Sequence, residues 1–368
     1  MKLHTQKPNQ QSISILSGAY ILLGVQGGFF VITLPTLITN EAGKISWLLL
    51  LVTGSWILFT MIGLAKLAGA RGMSWKELNQ AAFGRIAGFA IGAVWFLSLL
   101  FTNAYIIQKY ARLLNLYDFP NTQPLLYTIL MSLAALFAVW GGLHAISGIF
   151  MVSMGLQLLL LVASFIFVIP FIDLKYITPL TLMEIDHPIR AIIYSFAGFS
   201  GLETGVLFLQ AMKKENKLGN VRMFAWVSGI SLILQLFLVE ICMSVYGFEL
   251  LETTQFSTIT MMRLVRLPFI EQVDQFAVGL LFLRFLPIAS LYLWSCTEVF
   301  RNLVFRSIPY SIHLLLQGTV LLAIGLMFMS IQISKQIDML VVILSAGWFV
   351  IYAPLLLLLA WLRTRKRK

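Results

Sequence analysis

Residues 195–205 of this 368-residue chain read SFAGFSGLETG, and residues 22–35 read LLGVQGGFFVITLP. Each stretch sets three glycines around a polar side chain, Glu203 in one and Gln26 in the other, inside an otherwise apolar segment. Glycine is a poor helix former, so both segments are predicted to break near their middle. A broken helix frees N–H groups on one half and C=O groups on the other. The half-helix N-terminus attracts a carboxylate, and the freed carbonyls attract a cation or an ammonium. A zwitterion such as an amino acid matches both. The predicted contributors are Gly24, Val25, Gln26, Gly27 and Gly28 from the first stretch. Ala197, Gly198, Phe199, Ser200, Gly201 and Glu203 are those from the second. Phe199 could close over an apolar ligand side chain, although a core aromatic is the commoner role.

Other chemistries must be weighed on the same residues. Gly24 and Gly28 form GxxxG, as do Gly201 and Gly205, and that spacing also serves close helix packing. GFSG at 198–201 matches the Gly-x-Ser-Gly of intramembrane serine proteases, which need a histidine at similar depth. His4, His144 and His187 lie in the tail or in loops, and His313 lies near the end of a different segment. No base reaches Ser200 in this reading, so no enzyme is expected. No HExxH, CxxC or Walker sequence is present, and no metal or cofactor is expected. Cys242 and Cys296 both sit in apolar runs and read as small hydrophobes.

The elements that must carry these stretches are membrane helices. The chain is 59% hydrophobic and 11% charged, against roughly 25% charged in a soluble globule. A spanning helix takes about 20 apolar residues. Ten such segments are predicted, at 13–38, 45–65, 86–108, 124–141, 145–170, 189–212, 221–247, 275–300, 309–331 and 337–361. The polar opening MKLHTQKPNQQS predicts no cleaved leader. Lys and Arg concentrate at Lys2 and Lys7, in loops 66–85, 213–222 and 301–306, and in the RTRKRK tail. All of these fall on one side, which puts both termini in the cytoplasm. The net charge of +11 therefore reflects loops between spans and a tail near anionic lipid, not a nucleic-acid partner. In the loop 71–85, Ser74 and Glu77 have capping-box spacing and predict a short interfacial helix with Trp75 at the membrane surface. The outer connection 248–271 reads either as a re-entrant or interfacial helix or as a packed surface loop.

The two glycine clusters fall in the first and sixth predicted spans. Corresponding interruptions in two halves point to an inverted-repeat transporter fold, here 13–170 and 189–361 within one membrane domain. Glu203 is an ionisable group at membrane depth and so a functional candidate. It could stay protonated, bind a cation, or pair with Arg284 of the eighth span. Glu240 and Glu298 are weaker candidates.

Five stretches carry a resemblance: SISILSGAYILLGVQGG, LPTLITNEAGKISWLLLL, FVIPFIDLKYITPL, SFAGFSGLETGVLFL and LPFIEQVDQFAVGLLFLRFLPIASLYLW. In this order and spacing the chain resembles the endospore germination permeases, the B subunits of nutrient germinant receptors (GerAB/GerBB type) in the amino acid–polyamine–organocation superfamily. It departs from them where Lys44, Ile45 and Ser46 precede Trp47, and where Glu271 is followed by Gln272. The resemblance implies an all-α, ten-helix, five-plus-five inverted repeat of the LeuT type, with helices 1 and 6 broken. It implies a receptor in the spore inner membrane working with an A subunit and a C lipoprotein, binding a small germinant, often an amino acid. An ion-coupled amino acid transporter and a small-solute or ion pore are the other readings of the same residues.

Overall fold

Backbone in a bilayer has no water to bond with, so a spanning segment must close its own hydrogen bonds. The computed structural model describes residues 13–71, 74–177, 187–209, 212, 217–265, 273–303, 308–327 and 331–365. Over these residues every predicted span is helical. The first is split into α1 (Ile15–Val25) and α2 (Phe30–Ala42). Gly43, at φ 56°, turns the chain into α3 (Ser46–Arg71). The short α4 (Trp75–Phe83) leads into α5 (Arg85–Tyr117), α6 (Pro124–Trp140) and α7 (Gly142–Val168). The sixth span is again split, into α8 (Pro188–Ala197) and α9 (Gly205–Phe208). Then follow α10 (Lys217–Thr253), α11 (Ser257–Met262), α12 (Val273–Leu303) and α13 (Tyr310–Met327). The last span comprises α14 (Ile331–Gly347), a π-helical turn Trp348–Tyr352 and α15 (Ala353–Arg365).

Seven helical runs among the described residues are long and apolar enough to cross a membrane, with α1 and α6 as shorter apolar helices. Their outward faces carry large apolar side chains, for instance Leu158, Leu159, Val162 and Ile166 along α7. Such a surface suits hydrocarbon and not water. The interior is built by α12 against α5, α6 and α7, and by α10 against α2 and α3. Phe29, Phe285 and Tyr110 pack ring to ring at its centre. The one β contact among the described residues is a parallel bridge between Ile13 and Met212.

The capping box is formed: Ser74 Oγ accepts from Glu77 N, and the Glu77 carboxylate accepts from Ser74 N at 2.7 Å. The expectation for Trp75 is corrected. It is 2% exposed, its ring lies 4.7 Å from that of Trp95, and its Nε1 donates to Tyr352 Oη at 2.9 Å. The indole thus docks α4 onto α5 and the last span instead of anchoring it at the surface. The described part of the outer connection, 248–265, is helical in two pieces. Gly247, at φ 68°, interrupts α10, and α11 follows a turn. Thr36 Oγ1 donates to Thr254 O at 2.7 Å and Thr258 Oγ1 to Val31 O at 3.1 Å, so this segment is tied to α2. Residues 266–272, which include Glu271 and Gln272, lie outside the described residues, as do the first dozen residues, 213–216 and 366–368. In the last span, the wide π turn leaves Phe349 O to accept from Trp56 Nε1 at 3.1 Å.

Trp75→Ala is expected to lower stability by about 3–5 kcal/mol through the lost ring volume. Trp75→Phe keeps most of the packing and loses the hydrogen bond to Tyr352, at about 1 kcal/mol. Unfolding of the purified protein in detergent, with the two variants compared side by side, measures both.

Candidate functional site

α1 ends at Val25, and Gln26 turns extended at ψ 141°. Gly27 and Gly28 follow at φ 70° and 46°, a region costly to residues with a Cβ. In the sixth span Ala197 ends α8, and Gly201 takes φ 103° before a single 3-10 turn, Leu202–Thr204, restarts the helix. The two interruptions touch. Gly27 N donates to Ser200 O at 2.7 Å. A Cβ on Gly201 would lie 2.6 Å from Val25 O, so glycine is required there by contact as well as by conformation. The other glycines divide differently. A Cβ on Gly24 would strike the Phe150 ring of α7, and one on Gly205 would strike Leu22 and Phe224. For these two the packing explanation holds.

Several of the freed backbone groups are met by side chains, two of them from other helices. Gly198 O accepts from Gln235 Nε2 of α10 at 2.8 Å. Gln26 O accepts from Arg284 Nη2 of α12 at 3.1 Å. Gly201 N donates to Glu203 Oε2 at 2.6 Å, and Tyr292 Oη of α12 donates to Glu203 Oε1 at 3.1 Å. Ser200 Oγ lies 3.4 Å from the same phenol. Arg284 Nη1 also donates to Gln157 Oε1 of α7.

The pairing of Glu203 with Arg284 is therefore not formed. Glu203 faces the α8–α9 break and a tyrosine; Arg284 faces the α1–α2 break and a glutamine. α12 reaches both interruptions, with Arg284 at the first and Tyr292 at the second. Phe199 is wholly buried, and its ring tip comes to 3.0 Å of where a Cβ on Gly54 of α3 would stand. It packs the crossing against α3. Glu240 and Glu298 are each half-buried and neither belongs to this set.

The residues that the sequence reading missed are Gln157, Gln235 and Tyr292. Each is a polar side chain inside an apolar run, and that was the available signal. Asn103 of α5 is another: it is fully buried, and neither its amide oxygen nor its nitrogen has a partner. Beside the crossing of the two breaks, between α1, α2, α7, α10, α11 and α12, runs a cleft of about 210 Å³ whose lining includes Gln26, Gln157, Gln235 and Arg284.

Broken first and sixth helices, joined at their breaks, define a membrane protein of the five-plus-five inverted-repeat class of LeuT type. The solved structures agree on the fold. MhsT in complex with L-phenylalanine is similar at a TM-score of 0.71 and 14% identity, covering 95% of this chain and 96% of its own. Mhp1, a nucleobase-cation-symport-1 family transporter in a closed conformation with bromovinylhydantoin bound, gives 0.63 at 13% identity over 94% and 80%. A manganese transporter of Eremococcus coleocola gives 0.62 at 13% over 93% and 77%. The sequence goes further than the fold. The spore permease model, described as spore germination protein, matches residues 12–338, and the chain belongs to that family. The spore germination protein GerQB of Bacillus cereus is 17% identical over 302 residues, covering 80% of this chain and 81% of its own.

Gly28→Ala and Gly201→Ala separate conformation from contact. At 28 the nearest atom would be Ile106 Cδ1 at 3.5 Å, so only the positive φ is penalised, at about 1–2 kcal/mol. At 201 the clash with Val25 O adds to a similar term. The expected order of melting temperatures is wild type, then Gly28→Ala, then Gly201→Ala; equal losses would mean that the two breaks do not press on each other.

Proposed function

We propose that this chain is the nutrient-sensing subunit of a spore germination receptor, binding a small germinant at the crossing of its two broken helices. In this reading it sits in the spore inner membrane with both termini cytoplasmic. An A subunit and a C lipoprotein are its partners, and the two five-helix halves, 13–170 and 189–361, move against each other. The observation that carries the reading is the direct bond between the breaks, Gly27 N to Ser200 O. It joins backbone of the first and sixth spans at one point, and in this reading a ligand that separates or tightens them changes the balance of conformations. A ligand can do this only by binding the two states unequally. Membership of the spore germination family supports the setting.

A transporter is the second reading, favoured by the solved relatives, which are named as transporters or, for MhsT, contain L-phenylalanine. Unwound carbonyls in such folds can coordinate a coupling cation. Here Gln26 O is occupied by the Arg284 guanidinium, which argues against an alkali ion at that carbonyl. Uptake driven by a proton gradient in proteoliposomes, abolished in Glu203→Gln, would establish this second reading.

The sensing reading is tested with spores. Deletion of the gene is expected to remove dipicolinate release in response to one nutrient class, with the wild-type gene restoring it. Gly201→Leu is expected to abolish the response while membrane levels, read by immunoblot, persist. A normal response in that strain, with the variant present in the membrane, would remove the ligand site from the crossing.

A further inference from the structure

Arg284 is 8% exposed and lies within a membrane helix. Its Nη1 and Nη2 bond to Gln157 Oε1 and Gln26 O, both neutral, and its Nε has no partner. Two other cations are treated differently: the largely buried Lys109 meets Asp338 at 2.7 Å, and even the exposed Arg263 meets Asp274 at 2.8 Å. Among the described residues no carboxylate meets Arg284. Removing a charge from water without a counter-charge is strongly unfavourable. Two amide-type oxygens and the negative end of α1 offset part of that. An unneutralised buried cation is expected where an anion arrives from outside.

The cleft beside Arg284 has the matching shape. It holds about 210 Å³, roughly the liquid volume of seven waters. Its polar end is the group Gln26, Gln157, Gln235 and Arg284, and among the described residues there is no Asp or Glu in its lining. The remaining wall is almost entirely apolar. At its rim Leu158, Leu161 and Phe237 are exposed on the outward faces of α7 and α10. One buried cation at the end of an apolar cleft selects for a charge at one end of a ligand and hydrocarbon at the other.

We propose that this lateral cleft binds a small apolar carboxylate, apolar α-amino acids included, with its carboxylate on the Arg284 guanidinium and its hydrocarbon along α7 and α10. The site is distinct from the crossing of the breaks but is linked to it. Arg284 holds Gln26 O, the last carbonyl before the first break. A carboxylate on the guanidinium competes for that donor, so occupancy loosens the cap on α1. The link to germination rests on the sensing reading above; the binding does not.

The test uses the purified full-length chain in lipid nanodiscs and three probes of nearly one shape: 3-methylbutanoate, its amide, and 3-methylbutylamine. Calorimetric titration is expected to show saturable binding of the carboxylate, with the amide weaker by about tenfold or more and the amine not binding. Arg284→Gln is expected to remove the preference for the carboxylate. Leu161→Trp fills the rim without touching Arg284 and is expected to abolish binding, which keeps the test decisive if Arg284→Gln fails to fold. Equal binding of carboxylate and amide, or unchanged binding in Leu161→Trp, overturns the proposal. L-leucine and the same variants are then carried into spores. Carboxylate binding with no effect of either variant on germination keeps the cleft and refutes its link to germination. A germination defect in variants that bind the carboxylate like wild type keeps the sensing role and overturns the cleft.

Discussion

The hydrogen bond from Gly27 N to Ser200 O is the interaction on which the centre of this protein depends. An unsatisfied backbone group in hydrocarbon costs several kcal/mol. Two interrupted helices in one bilayer would each carry several. By meeting at their interruptions they answer part of each other's deficit, and single side chains from α10 and α12, with Gln157 of α7 behind Arg284, answer two more of the freed carbonyls. Gln235 reaches Gly198 O and Arg284 reaches Gln26 O. The packing of α10 on α2 and α3, and of α12 on α5 and α7, is what holds those side chains at the right depth. Loss of helical regularity at one point is thus balanced by the regularity of three neighbours.

The two buried ionisable groups are handled by the same logic but not by each other. Glu203 accepts from a backbone N–H freed by its own break and from the Tyr292 phenol. Arg284 donates to a carbonyl freed by the other break. The acid therefore sits at a freed N–H and the base at a freed carbonyl, which is the arrangement that helix dipoles favour. A direct ion pair would have left both breaks short of partners.

Much of this was legible in the sequence, for physical reasons. Runs of about twenty apolar residues have few alternatives to a membrane helix, and glycine clusters at mid-span mark where such a helix fails. Ser74 and Glu77 state their capping box locally, within four residues. What was not legible depends on which way a helix faces. Glu203 and Arg284 lie in spans that both cross the bilayer, but only packing decides whether their side chains converge. Trp75 reads as an interfacial anchor because its partner, Tyr352, is 277 positions away. Gln157, Gln235 and Tyr292 were visible as lone polar residues in apolar runs, yet their roles come from the backbone groups opposite them. The π turn at Trp348–Tyr352 gave no signal in residue type at all.

The bridge between Ile13 and Met212 has a mechanical meaning. α1 has eleven residues, so it is a rod about 16 Å long. One end is fastened to the sixth span through Gly27 and Ser200, the other through Ile13 and Met212. Between them Gly18 leaves room for the Met212 side chain, whose tip would lie 3.1 Å from a Cβ there. A rod pinned at both ends to the same neighbour cannot tilt by itself. Any motion at the crossing would have to carry α1 and the sixth span as one body, or release the weaker fastening first and turn about the other.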